Sequence, residues 1–277
     1  MVVQHNMQAV NTNRMLGQNV KAVSKSTEKL SSGYKVNRAA DDAAGLSISE
    51  KMRNQIRGIN QSVTNAEDGV SLIQTAEGNM NEIHAILQRM GELATKAAND
   101  VNAEEDRTAI QAEINELGAE IDAISSKAAF NGTKLLNGSF ANKNLQVGAN
   151  RGENMEITIE TMNAKKLFGA VGASIKTALN MSSHGSASDA MKLISSAIKS
   201  VSAARSELGA KQNRLEYTIN NLENYSENLT SAESTIRDTD MAETMTNYTK
   251  NNILQQAAQS MLAQANQSTQ GVLSLLQ

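Results

Sequence analysis

The side chains that could do chemistry are few, and their spacing does not bring them to one place. His5, His84 and His184 stand far apart, with neither an HExxH pair nor the Cys/His spacing of a metal site. Asp41-Asp42 offers two carboxylates, which serve either a cation or, more simply, as caps favoured by the dipole of a following helix. Leu208-Gly209-Ala210-Lys211 lacks the glycine-rich strand-turn-helix setting of a phosphate cradle. The chain contains no cysteine, which removes disulfides, thiol catalysis and thiolate ligands together. We therefore expect no catalytic residue, no cofactor and no metal, and look to surfaces for the function.

The elements that build those surfaces are helices. Proline is absent from all 277 residues, so nothing in the chain is forced to interrupt a helix. Tryptophan is absent too and aromatics make up 3%, leaving Leu, Ile, Val, Met and Ala for the interior, a composition suited to thin helical bundles. A net charge of -3 gives no footing for nucleic acid. No apolar run approaches the roughly 20 residues that cross a bilayer, and MVVQHNMQAV has neither the charged nor the continuous apolar part of a signal peptide. We expect a soluble chain with no membrane insertion and no cleaved leader.

From Met52 the apolar positions Ile56, Ile59, Val63, Ala66, Val70, Ile73, Met80 and Leu87 alternate by four and three, with Glu77 and His84 as weaker members. That spacing predicts a helix from about 41 to 100 showing one narrow seam to partner helices. Ile110, Ile114, Leu117, Ile121 and Ile124 repeat the seam after a start at Asn102, with Glu105 completing a capping box. Ile194, Ile198, Val201, Leu208, Leu215, Ile219, Leu222, Leu229 and Ile236 repeat it again, interrupted by Arg205, Gln212, Ser226 and Glu233. Such interruptions either fix register at a cost in stability or sit at the seam's edge; the sequence is equally consistent with both. Between the helices, AFNGTKLLNGSF carries two Asn-Gly turn signals, and Leu145/Val147 and Met155/Ile157/Ile159 alternate by two, predicting one or two β-hairpins. Residues 165 to 188 read as a small-residue loop, with Ser188 or Asp189 capping the returning helix. The fold class is mainly α: a long antiparallel, coiled-coil-like helical rod with a small β-hairpin region and paired terminal helices.

Both ends differ from the middle. Leu16, Val20, Val23, Leu30 and Tyr34 extend a seam to a break at Ser31-Ser32-Gly33; Leu254, Ala258, Met261, Ala265, Val272 and Leu275 follow the same spacing after a fresh start near Asp240. From Asn251 to Gln277 no side chain is charged, and the polar face is Gln, Asn, Ser and Thr. A membrane-surface helix would carry Lys and Arg there. Two readings remain: an ordinary antiparallel pair, or, preferred here, a crowded and largely water-excluded place shared by many copies, where hydrogen-bonded amides are far cheaper to bury than charges.

The stretches LSSGYKVNRAADDAAGLSISEKMR, QRMGELA, AFNGTKLL, LGAKQNRLEYTINNLENYSENLTSAESTIRDTDMA and ILQQAAQSMLAQANQSTQGVLSLLQ together resemble bacterial flagellin, over about the first 140 and last 90 residues. The resemblance implies terminal helices at 1–40 and 240–277 forming an inner tube, a helical rod with a β-hairpin at 41–239, and no inserted outer domain. It implies a structural subunit that polymerises into the flagellar filament for motility, outside the cell, after export by the flagellar type III route. Val3, Met7, Val10, Leu16, Val20, Ile253, Leu254, Met261, Leu262, Val272, Leu273 and Leu276 are then the candidates for packing the filament core. Implied partners are further copies in a helical homopolymer, flagellar cap and hook-associated proteins, and an export chaperone at the C-terminal tail.

Family members recognised by Toll-like receptor 5 use the stretch matching Gln88 to Ala98. By resemblance the receptor-facing residues are Gln88, Arg89, Gly91, Glu92 and Leu93, with Glu113 and Arg214 on neighbouring helices. Gly91 departs from the pattern, which has a second arginine there, so weakened recognition is implied. Arg89 and Glu92 are equally readable as a solvated pair on a helix face. The competing identity is a hook-filament junction protein, and a third is a cytoplasmic coiled-coil scaffold, which leaves the charge-free ends unexplained.

Overall fold

The computed structural model describes residues 6–169 and 179–274, with side chains as far as Ser268. Its described helices are α1 (Met7–Ser32), α2 (Ala43–Ala97), α3 (Glu104–Lys127), α4 (Ala164–Leu167), α5 (His184–Arg237) and α6 (Met241–Ser274); the strands are β1 (Ala129–Phe130), β2 (Thr133–Lys134), β3 (Lys143–Gln146) and β4 (Asn154–Ile157). The chain forms two compact units, one of residues 57–226 and one of residues 1–56 with 227–277.

In the unit of residues 57–226, the buried positions of α2 are Ile59, Ser62, Ala66, Gly69, Ile73, Ala76, Met80, Ile83, Leu87, Met90, Leu93, Ala94 and Ala97. The period of four and three holds, but its second phase differs from the sequence reading. Ser62, Gly69, Ala76 and Ile83 are buried where Val63, Val70, Glu77 and His84 were expected, one position later. At Gly69 the packing is a close approach: a Cβ there would overlap the Leu145 side chain and stand 3.3 Å from Leu215 Cδ1. Glu77 and His84 lie half-buried at the edge, where Glu77 pairs with Arg205 across helices at 3.4 Å. On α5 the same shift buries Ala197 and leaves Ile198 half-buried.

Two helix starts also differ. Ala103 precedes α3, and Asp106 reaches back to the Ala103 amide at 3.3 Å, while the Asn102 side chain turns to the Lys96 carbonyl. The expected Asn102–Glu105 box is thus not formed. The cap of α5 comes from Ser183, whose hydroxyl accepts from the Ser186 amide at 3.2 Å, so Ser188 and Asp189 fall inside the helix. Within the loop expected over 165–188, residues 170–178 lie outside the described residues.

Asn131 and Gly132, with φ of 46° and 78°, turn β1 into β2, the geometry that favours Asn-Gly in two-residue hairpins. Asn137-Gly138 does not turn a hairpin; Asn137 Oδ1 accepts from the Ser139 amide and hydroxyl. The second hairpin pairs β3 with β4, placing Leu145 opposite Met155 and Lys143 opposite Ile157. Its apolar side chains join a core with Ile73, Ile83, Ile114, Ile121, Leu135, Leu136 and Ile194.

In the unit formed by the two chain ends, α1 lies against α6. Gly33, at φ 77°, ends α1 with its amide donating to the Lys29 carbonyl. Asp42 caps α2 by accepting from the Gly45 amide at 2.8 Å, and Asp240 caps α6 by accepting from Ala242 and Glu243. Tyr34 and Asp238 form an antiparallel bridge, with Lys35 N donating to Arg237 O at 2.8 Å and Thr239 N to Gly33 O at 2.9 Å.

Candidate assembly surface

The terminal helices are the first candidate surface, and their pairing explains why. On α1 the half-buried residues Ala9, Thr12, Leu16, Asn19, Val23, Ser26 and Leu30 form a stripe of period three and four. On α6 the stripe is Thr244, Tyr248, Asn251, Gln255, Ala258, Leu262 and Ala265, of which Ala265 alone is fully buried. Asn6 ties the ends together: its Oδ1 accepts the Ala9 amide as cap, and its Nδ2 donates to Ala265 O at 2.9 Å. The pair therefore meets through a largely small and polar seam.

Beside Leu16, Val23, Leu30 and Leu262 in the seam, several large apolar side chains stay outside it. Met7, Val10, Val20, Ile253, Leu254 and Met261 are exposed, Met7 at 71% and Met261 at 61%. Leu254 and Met261, taken from sequence as seam residues, thus stand outside the intramolecular seam, while Leu16 and Leu262 lie within it. Val3 and Leu276 lie outside the described residues, and Val272 and Leu273 belong to α6 with side chains outside the described set.

The second candidate surface is built on α2 and α3. Arg89 donates through Nε and Nη2 to Glu113 Oε1 at 3.2 and 3.0 Å, and through Nη1 to Glu92 Oε2 at 3.2 Å. These bonds, that to Glu113 foremost, raise the guanidinium pKa above its ordinary value. The trio borders a groove of about 460 Å³ that Lys96, Asn102 and Asp106 also line. Gln88 is exposed and bonds His84 at 3.1 Å. Leu93, by contrast, is 4% exposed and packs into the core. Gly91 looks toward α5, since a Cβ there would meet Ile194 Cγ2 at 3.8 Å. Arg214 is exposed on α5 next to Leu215, which abuts Gly69, so it sits about 30 Å along α2 from Arg89 at 1.5 Å per residue. Only Arg89, Glu92 and Glu113 are brought together.

Of the described histidines, His84 meets Gln88 and His184 Nδ1 lies 2.6 Å from Ala98 O; among the described residues no group of three or more His, Cys, Asp or Glu side chains comes together where it could hold a metal ion. His5 lies outside the described residues. The sequence reading missed Arg237, whose guanidinium stacks 4.4 Å over the Tyr34 ring and reaches Glu50 Oε1 at 3.1 Å. The only local signal was an arginine directly before the Asp-Thr-Asp that starts α6. It also passed over Met15, Met241 and Met245, exposed like their apolar neighbours.

Residues 3–141 match the family model of the bacterial flagellin N-terminal helical region, and residues 191–276 that of the C-terminal helical region. The chain belongs to the bacterial flagellin family. A flagellin of Halalkalibacterium halodurans is 50% identical over 276 residues, and one of Bacillus subtilis 49% over 303, each covering 100% of both chains. Flagellin FlaB2 of Treponema pallidum is 45% identical over 286 residues, again with 100% of both covered. A solved structure described as a putative flagellar hook-associated protein from Vibrio parahaemolyticus aligns with a TM-score of 0.61 over 72% of this chain and 100% of that one, at 14% identity, a likeness of fold alone. Among the described residues of this flagellin, no helix is long and apolar enough to cross a membrane.

Proposed function

We propose that the chain is a structural subunit, not an enzyme, that polymerises with its own copies into the bacterial flagellar filament outside the cell. The observation that carries the reading is the mismatch within the terminal pair: the α1–α6 seam takes in Leu16, Val23, Leu30 and Leu262 among small and polar side chains but leaves Met7, Val10, Val20, Ile253, Leu254 and Met261 exposed. One molecule cannot cover that face, and other copies can. Heterologous contacts that do not close generate an open helical filament. Each added subunit gains about 25 cal/mol per Å² of apolar surface covered, less the entropy of ordering the ends. In this reading residues 1–40 and 240–277 form the inner tube and residues 41–239 the outer one. Cap and hook-associated proteins meet the same ends, an export chaperone binds the uncharged tail, and the type III route carries the chain out.

The test is seeded growth. Purified monomer is added to short fragments of its own filaments beside a chain lacking residues 251–277, and elongation is followed by electron microscopy. Growth of the full chain alone is the expected result. Growth of both would overturn the role given to the tail, and growth of neither would favour a junction protein.

The same reading includes a host partner, Toll-like receptor 5, at the Arg89 surface. Support comes from Arg89, Glu92 and Glu113 standing together and about half or more exposed, a preorganised set of charges for a polar partner. With glycine at 91 the contact lacks a cation, so signalling is weaker than with an arginine there. In a receptor reporter assay Gly91→Arg should raise potency, and unchanged potency would count against the contact.

A further inference from the structure

We propose that the terminal helices carry an oxidation site: Met7, Met15, Met241, Met245 and Met261, which hydrogen peroxide converts to sulfoxides in the free chain, stopping assembly until they are reduced. The proposal rests on the polymerisation reading above. Among the described methionines these five are the exposed ones, at 71, 47, 49, 50 and 61%, and every one lies on α1 or α6. Met80, Met90, Met155, Met162 and Met181 are buried in the other unit, while Met52 and Met191 are half-buried. No cysteine competes for the oxidant, so thioethers are the sulfur that peroxide meets.

The step is balanced with peroxide as the sole co-reactant. A sulfur lone pair attacks one peroxide oxygen, the O–O bond breaks and an S–O bond forms. After proton transfer the products are sulfoxide and water, sulfur having given up the two electrons that peroxide gains. Rate follows access, so the five exposed thioethers react ahead of the buried ones. The product is polar, with a strongly accepting oxygen on a flexible stem that had been apolar. On the face that other copies must cover, each such oxygen has to be stripped of water or left unpaired, and both oppose burial. The α1–α6 seam itself need change little, because all five side chains are already exposed in the single chain. In the filament the same sulfurs are covered, which confines the reaction to subunits not yet incorporated.

The experiment maps sulfoxides by peptide mass spectrometry after brief peroxide treatment of the full chain, then compares seeded growth of untreated, treated, and treated and re-reduced protein. Methionine sulfoxide reductases acting on both epimers supply the reduction, and a chain with all five positions changed Met→Leu is treated alongside. The five sites should oxidise at least about tenfold faster than Met80 and Met90, and treated protein should elongate about tenfold more slowly. Reduction should restore growth, and the leucine chain, compared with its own untreated rate of elongation, should show no slowing by peroxide. Even oxidation of exposed and buried methionines, normal growth with five sulfoxides in place, or equal peroxide sensitivity of the leucine chain would each overturn the proposal. Failure of the untreated chain to elongate would instead overturn the polymerisation reading, an outcome separated from the others because it involves no peroxide.

Discussion

Arg237 stacks its guanidinium 4.4 Å above the ring of Tyr34, and the two chain ends are joined through that contact. Around it the Lys35 and Thr239 amides form the short bridge between the end of α1 and the start of α6. The same guanidinium donates to Glu50 Oε1 at 3.1 Å and Ser49 Oγ at 3.4 Å on α2, so one side chain, only 13% exposed, holds three segments of this unit. Arg237→Ala should lower the stability of this unit by about 1–2 kcal/mol, from the lost cation–π contact and charge-assisted hydrogen bonds. Amide exchange at Lys35 and Thr239 should quicken. Arg237→Lys should fall between the two, because an ammonium keeps the charge but loses the planar fork. Unchanged exchange in the alanine variant would refute the assignment.

Two glycines of α2 make opposite predictions from one helix. At Gly69 a side chain would collide with Leu145 of the β3–β4 hairpin, while at Gly78 nothing lies within 4 Å of the place a Cβ would take. Gly69→Val should lift the hairpin and cost about 1–3 kcal/mol, as overpacking does. Gly78→Ala should stabilise by about 0.5–1 kcal/mol through helix propensity alone. Urea titration of the two variants checks both, and equal effects would show that the hairpin does not rest on Gly69.

The seam period of α2, α3 and α5 was legible because it is set by helical geometry, and so were the Gly33 and Asp240 punctuations and the turn at Asn131-Gly132. Which phase faces inward was not. Ser62 and Gly69 carry no hydrophobic signal, and Gly69 is buried because Leu145 and Leu215 close in on it, a long-range fact. For the same reason the sequence could not say that Arg214 stands far from Arg89, since that follows from the pairing of Leu215 with Gly69. Leu93 reads as part of a surface motif, yet its place one turn after Met90 puts it among core residues. At the chain ends, period alone could not separate the seam that α1 and α6 share from the apolar face they leave uncovered.

Acid should loosen the loop that follows α1. Asp41 accepts the Asn37 and Arg38 amides and pairs with Lys25 at 2.8 Å. Its carboxyl is held below the ordinary value of 3.8, chiefly by the Lys25 hydrogen bond and then by the Arg38 amide. A depressed carboxyl takes up its proton more readily in the unfolded chain. Its contribution is therefore complete at neutral pH and is lost as pH falls through its folded pKa. Asp41→Asn should be less stable than the parent at pH 7, and the gap should close as the pH falls through the folded pKa of that carboxyl. A gap that persists in strong acid would mean that the side chain acts by shape and not by charge.

The terminal helices should be the least protected helices in the free chain and the most changed by assembly. No residue of α1 is fully buried and, among the described side chains of α6, only Ala265 is, whereas α2 buries Ile73, Ala76, Met80, Ile83 and Leu87 at no measurable exposure. Local opening follows buried contact, so monomer amides in α1 and α6 should exchange well before those of residues 59–97. Slow exchange at the ends equal to that of α2 would show that the pair needs no further copies. The complementary substitution is Ile253→Lys. This residue is 60% exposed in the single chain, so a lysine there costs the monomer little and its helicity should be unchanged. On seeds, however, a charge would have to be buried among apolar side chains, and elongation should cease. Loss of monomer helicity would instead place Ile253 in the intramolecular pair, and undiminished elongation would place it on a surface that remains wet in the filament.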